Sequence, residues 1–181
     1  FKKQDVKSVV VVEKAKSSKA VTITSPVSRK DLPTISILHT GGTIASKVDY
    51  RTGGVSTDFQ PEELIALFPE LEKIANIKSE LIAQMWSDDL RFKHFALIAK
   101  KIEEHVRAGS RGIIIGMGTD NLAVAAAALS FIVEKTPVPV VLVGAQRSSD
   151  RGSSDAAMNL ICAAEFVSKT DFGGVAICMH E

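Results

Sequence analysis

No stretch of this 181-residue sequence approaches the ~18 uninterrupted apolar residues that a membrane-spanning helix needs. No secretory leader pattern opens the chain either, so the expected location is cytoplasmic, with no membrane partner. Cysteine is scarce. Cys162 and Cys178 both sit in strongly apolar segments, a setting that favours two buried thiols over a disulfide or a metal pair. His39, His94, His105 and His180 are scattered, and none has a ligand-like neighbour at metal spacing, so no metal site is expected. Internal repeats and low-complexity tracts are also missing. The chain begins at Phe1 rather than at a methionine, which suggests a piece of a longer protein.

What is present is a globular composition, 45% hydrophobic and 24% charged. A chain of this length can bury one substantial core, with room for a small appendage. The net charge of +1 conceals an asymmetry. Residues 1–30 hold eight Lys or Arg against Asp5 and Glu13, a net of +6, which leaves −5 for the remainder. A basic arm therefore precedes an acidic body. Such an arm suits contact with an anionic partner such as RNA, or is simply a solvated face.

Residues 9–12 (VVVV) and 20–24 (AVTIT) are β-rich and flank the polar KAKSSK, which together suggest a hairpin. The expected organisation is a partial β-rich N-terminal domain over 1–25, a linker over 26–33 (PVSRKDLP), and an α/β domain over 34–181 that runs on past Glu181. Within that domain, strand patterns at 34–39, 77–83, 112–116, 139–143 and 174–179 alternate with helical patterns at 61–74, 91–108, 120–135 and 154–168. Short, nearly continuous apolar strands between helices predict a doubly wound parallel sheet covered on both faces. In such sheets ligands bind where the strands' carboxyl ends lead into helices.

Three of those strand ends carry reactive groups. The first strand runs into His39-Thr40-Gly41-Gly42-Thr43. Two glycines allow a sharp turn and close approach to a ligand, and they present the Thr43 hydroxyl above the sheet. The stretch is neither GxxxxGK[ST] nor GxGxxG, so phosphate binding has little specific support. A helix-capping role for Thr43 remains open at this level. The strand 112–116 ends in Gly118-Thr119-Asp120, a hydroxyl beside a carboxylate. Threonine is a weak nucleophile and needs a nearby base or positive charge. Asp120 is also suited to complementing a helix dipole. The strand 139–143 leads into GAQRSSD.

HTGGTIAS, GTD and VLVGAQRSSDRGSSDAAMNL together resemble the L-asparaginase/glutaminase amidohydrolase family. SKVDYRTGGV, FPEL and the doubled SSD of QRSSDRGSSD are similar to its tRNA-dependent amidotransferase branch, whose members also carry a small N-terminal barrel. The resemblance covers residues 34–181 and implies an asparaginase N-terminal-type sheet. It implies a subunit that frees ammonia from glutamine or asparagine for an amidotransferase partner subunit of the E type, which amidates Glu-tRNA(Gln). The partner would hold most of the tRNA and would use ATP and magnesium, with no cofactor in this chain. A homodimer is also implied.

By motif, the resemblance makes Thr43 the nucleophile or its partner, and Thr119 and Asp120 the second threonine and the aspartate beneath the substrate. It makes Tyr50 a lid residue, Ser87 the group that holds the substrate α-carboxylate, and Asp88 the group that faces the α-ammonium. On spacing alone, Ser87-Asp88-Asp89 also suits a helix cap. Backbone groups around Gly144 and Ala145 are implied to lie near the scissile amide, where fixed N–H donors stabilise an oxyanion. Two departures from the family pattern stand out. Met117 and Asn121 occupy positions where the family commonly has HGTDT, which favours reduced activity. The catalytic lysine is expected past Glu181, which would leave this piece inactive by itself. Lys169 is the tempting substitute, but a lysine there suits the end of a helix. Two alternatives stay open: a free-standing L-asparaginase, which the first thirty residues disfavour, and an inactive relative that keeps only amino-acid binding or a subunit contact.

Overall fold

The computed structural model describes residues 29–49, 53–56, 63 and 66–180. The β-rich segment expected over 1–25, Tyr50, and the first part of the linker lie outside them. The elements are β1 (Thr34–His39), a 3-10 turn (Thr43–Ala45), β2 (Lys47–Val48), β3 (Val55–Ser56), α1 (Leu71–Ile74), β4 (Asn76–Leu81), a 3-10 turn (Ser87–Asp89), α2 (Phe92–Arg107), β5 (Gly112–Gly116), α3 (Leu122–Ile132), β6 (Pro139–Val143), α4 (Ala156–Lys169) and β7 (Gly174–Cys178).

Five strands form one sheet in the order β4-β1-β5-β6-β7, and every pair within it is parallel. Their side chains alternate between two cores. Ile35, Ile37, Ile114, Val141 and Val143 face Leu71 of α1 and Ala156, Leu160, Ala163, Ala164 and Val167 of α4. Leu38, Ile113, Ile115, Val140 and Leu142 face Phe95, Ile98 and Ile102 of α2 and Leu122, Ala125 and Leu129 of α3. With both faces covered, the central strands β5 and β6 have no polar face to show, which is why they read as unbroken apolar runs; the edge strand β4 is only partly buried and carries Lys78, Ser79 and Glu80. The doubly wound parallel architecture agrees with the expectation.

One polar residue interrupts the inner strand. Ser36 is fully buried, and its Oγ pairs with Ser110 Oγ at 2.6 Å and with His105 Nδ1 at 2.8 Å. His105 Nε2–H in turn donates to Glu80 at 2.8 Å, and Lys101 bonds the other Glu80 oxygen at 2.7 Å. Lys101 first, and then His105, hold the Glu80 carboxyl below its ordinary range. The order of groups resembles a nucleophile relay, yet Ser36 has no access to solvent. The network instead satisfies a hydroxyl that the strand would otherwise bury unpaired.

Several element ends differ from the periodicity. Of the helix expected over 61–74, residues 61, 62, 64 and 65 lie outside the described ones, and helical backbone is interrupted at 68–70, because Pro69 lacks an N–H and disfavours helical backbone at Phe68. The strand expected to reach 83 stops at Leu81, where the N–H groups of Ile82 and Ala83 both turn to the His39 carbonyl, at 2.8 and 3.3 Å. The helix expected from 120 starts at Leu122, since residues 119–121 are held in a loop described below. It ends at Ile132, and Lys135 has a left-handed φ of 53°. A hairpin of β2 and β3, paired Lys47↔Ser56 and Val48↔Val55, has no counterpart in the periodicity. Cys162 and Cys178 are free thiols, but only partly buried rather than sealed in the core. Burial first, and then Cys162, pushes the Cys178 thiol up. In the described part of the linker, Asn76 Nδ2 holds the carbonyls of Arg29 and Leu32 at 2.8 and 2.9 Å.

Candidate active site

The strand order places β1 between β4 and β5, so the chain leaves β1 toward one edge of the sheet and, after β5, proceeds toward the other. A crevice opens at the carboxyl ends of strands that flank such a reversal. The loops after β1, β4, β5 and β6 all converge there.

The first and third of these loops touch through their backbones. Gly42 has φ 78° and ψ −177°, a region essentially reserved for glycine. A Cβ at Gly42 would stand 2.2 Å from the nitrogen of Gly118 and 2.5 Å from its Cα. No other residue permits that approach. It sets the turn that begins with Thr43 beside the turn that contains Thr119 and Asp120. Thr40 adds two bonds to the same strand end, from its N–H and its hydroxyl to the Gly116 carbonyl, at 2.9 and 3.2 Å. Thr43 and Thr119 are both half-buried, and Asp120 is exposed. Thr43 opens its 3-10 turn without capping it, because the cap position is Gly42 and makes no side-chain bond.

The loop after β4 supplies Ser87, which is buried. Its Oγ lies 3.4 Å from Asp120 Oδ2 and 3.4 Å from the Asn121 N–H. Asn121 Nδ2 donates to the Ser87 carbonyl at 2.8 Å. Asn121, one of the two departures, therefore ties the Asp120 loop to the Ser87 turn. Met117, the other, is 1% exposed and packs in the α2/α3 core. The cap expected of Ser87-Asp88-Asp89 falls instead to Arg91, whose N–H donates to His94 Nδ1 at 3.0 Å. Asp88 is exposed and lines a cavity of about 370 Å³ with Arg91, Phe92, Asn121 and Val124.

The loop after β6 closes the group. A Cβ at Gly144 would meet Thr119 Cγ2 at 2.6 Å, so the Thr119 methyl rests on this turn. Ala145 is buried. The Gly144 N–H, one of the donors expected near a substrate carbonyl, points to Met179 Sδ at 3.3 Å, and the Gly144 carbonyl accepts from Asn159 Nδ2 at 3.1 Å. Asp155 takes the N–H groups of Gln146 and Arg147 at 2.9 and 3.2 Å. Lys169 lies in the last turn of α4, paired with Glu165, at the far end of that helix from these loops.

Beneath the first loop, His39 is 2% exposed. Its Nε2 pairs with Ser79 Oγ at 3.0 Å, while Nδ1 has no partner among the described residues. Burial lowers its pKa from 6.5 to about 4. Among the described residues no group of His, Cys, Asp and Glu is arranged to hold a metal. Reasoning from sequence missed Thr40, Asn159, Ser149 and Asp150, although the doubled SSD contains the last two.

A doubly wound parallel domain whose switch-point crevice is framed by two threonine-bearing turns and a carboxylate defines the class of protein. The chain matches the family described as "Asparaginase, N-terminal" over residues 34–181, and it belongs to the asparaginase family. It is 47% identical over 178 residues to the D subunit of the glutamyl-tRNA(Gln) amidotransferase of Pyrococcus furiosus, covering 98% of this chain and 40% of that protein. It is 49% identical over 154 residues to the corresponding protein of Archaeoglobus fulgidus, covering 85% and 36%. Among solved structures, a probable cytoplasmic L-asparaginase from Campylobacter jejuni superposes with a TM-score of 0.75 at 33% identity, covering 82% of this chain and 46% of that one. The thermostable L-asparaginase from Thermococcus kodakarensis gives 0.72 at 29%, covering 80% and 43%. The chain thus spans about 40% of the length of the curated relatives it matches.

Proposed function

We propose that this chain is the N-terminal part of the glutaminase subunit of a tRNA-dependent amidotransferase. In this reading a threonine hydroxyl, that of Thr43 or Thr119, attacks the side-chain amide carbonyl of glutamine. The C–N bond breaks, ammonia leaves with the proton it gains, and water then releases glutamate from the acyl intermediate. The proposed acceptor of the hydroxyl proton is a lysine beyond Glu181. Asp120 holds the second threonine's surroundings, Ser87 and Asp88 receive the amino-acid end, and the backbone at Ala145 faces the developing oxyanion. Ammonia passes to a partner subunit that uses ATP and magnesium to amidate Glu-tRNA(Gln). A cytoplasmic homodimer, with residues 1–25 as a β-rich module, completes the proposal.

The observation that carries this reading is the seating of Gly42 on Gly118, which brings both threonine-bearing turns to one crevice. The names of the relatives support the amidotransferase over a free-standing asparaginase. The inactive-relative reading draws on Met117 and Asn121, but Asn121 supports the Ser87 turn with its own hydrogen bond.

The test is ammonia release by the full-length protein with glutamine and asparagine, alone and with partner and Glu-tRNA. Release stimulated by the partner is expected. Partner-independent hydrolysis that prefers asparagine would indicate an asparaginase, and no release under any condition an inactive relative. Thr43→Ala and Thr119→Val are each expected to lower turnover by several powers of ten, since each removes a participant in the covalent step. Retained turnover in either removes that residue from the mechanism.

A further inference from the structure

We infer that Asp150, together with Ser149, is a latch that holds the Thr43 turn in place, and that Asp150 is a positioning residue for the reaction. This rests on the reading of Thr43 as a participant in amide hydrolysis. The segment from Thr40 to Val48 leaves the sheet and enters the small β2–β3 hairpin. Its own bonds make it compact: Ala45 N–H to Gly42 O at 3.0 Å, Ser46 N–H to Thr43 O at 3.1 Å, and Ser46 Oγ to Gly42 O at 2.9 Å. Compactness does not fix where such a turn lies. Gly42 anchors its start against Gly118.

Its later half is anchored by the loop after β6. Ser149 Oγ donates to the Ile44 carbonyl at 2.6 Å, and Asp150 Oδ2 accepts the Val48 N–H at 2.9 Å. These bonds grip the chain one residue after Thr43 and at the first paired residues of the hairpin. Ser149 is 6% exposed and Ile44 fully buried, so water does not compete at the first contact. At the second, one carboxyl oxygen takes the backbone N–H, and Asp150 Oδ1 is buried with no partner among the described residues.

The latch is itself held firmly. Asp155 collects the N–H groups of Gln146 and Arg147 and receives Asn159 Nδ2 of α4 at 3.1 Å. Ser154 Oγ donates to the Arg147 carbonyl at 2.8 Å, and Arg151 N–H bonds Ser148 O at 3.0 Å. The doubled SSD thereby divides its work. Its second aspartate folds its own loop onto α4, and its first reaches across to the threonine turn, 102 residues away in sequence. A nucleophile displaced by about 1 Å loses on the order of 100-fold in rate, so the latch bears on turnover. Ser87 and Asp88 sit on a different loop, so substrate affinity should be spared.

The experiment uses the full-length protein with its partner. Asp150→Ala is expected to lower kcat by about 10- to 100-fold with KM within about threefold. Asp150→Asn, which keeps an oxygen able to accept from Val48, should recover much of the loss. Amide exchange in the peptide 42–49 should accelerate in Asp150→Ala while the β1 peptide 34–39 stays protected. If wild type hydrolyses glutamine and Asp150→Ala retains its kcat or its exchange pattern, the latch is overturned and the glutaminase reading survives. A wild type that hydrolyses nothing overturns that reading and the positioning role with it, whatever the exchange shows. Should Asp150→Ala fail to fold, Ser149→Ala, which removes the bond to the Ile44 carbonyl, carries the same comparison. Equal loss of kcat and protection in both peptides would mark a merely structural role and overturn the proposal.

Discussion

Acidification should destabilise this domain through His39. The imidazole ends β1 directly below the Thr40–Thr43 turn and is 2% exposed, with Nε2 against Ser79 Oγ at 3.0 Å. Burial lowers its pKa from 6.5 to about 4, so the folded protein keeps it neutral where the unfolded chain takes up a proton. The depressed pKa fixes the sign: the contribution is intact above pH 6.5 and is lost as the pH falls toward 4. Across that whole window the loss amounts to about 3 kcal/mol, of which about 2 kcal/mol falls between pH 7 and pH 5. Carboxylates titrate over part of the same range, so the measurement is a difference. Urea unfolding of wild type and His39→Gln at pH 7, 6 and 5 should give a wild-type slope steeper by up to about 1.4 kcal/mol per pH unit. Equal slopes, or a His39 ring-proton titration in the native state centred near 6.5, would refute the reasoning.

Gly42→Ala should cost about 2–5 kcal/mol, from the glycine-only backbone region and from a Cβ forced onto Gly118. A change in unfolding free energy under about 0.5 kcal/mol would show that the two turns are not locked together. Lys169→Ala removes one exposed pair with Glu165 and should shift stability by less than about 0.5 kcal/mol with turnover unchanged; a large fall in turnover would bring Lys169 into the mechanism. On the proposed amidotransferase reading, deleting residues 1–30 should weaken binding of the tRNA complex more at low salt than at high salt. An unchanged salt dependence returns the basic arm to a solvated face.

Much of the fold was legible because buried parallel strands leave a blunt signature. The apolar runs 112–116 and 139–143 coincide with β5 and β6, and β1 occupies 34–39. Helix ends were less legible wherever side chains took over the backbone's hydrogen bonds. Ser154 Oγ accepts from the Ala156 N–H at 3.2 Å, and α4 begins at Ala156, two residues after the periodic pattern does. Asn121 spends its amide on Ser87 rather than on a longer α3. The candidate site was legible as motifs on separate strand ends, through HTGGT and GTD. It was not legible as a set of contacts, and Asp150, in plain view within a repeated SSD, had no visible partner.

The sequence alone determined the alternation of strands and helices, the coverage of both sheet faces, and which residue types stand at the strand ends, because these follow from local periodicity and backbone preference. Only the tertiary structure decided that β1 lies between β4 and β5, that Gly42 rests on Gly118, and that Asp150 reaches Val48. Those contacts join residues as many as 102 positions apart. Strand order and register create them, and no local pattern in the chain encodes either.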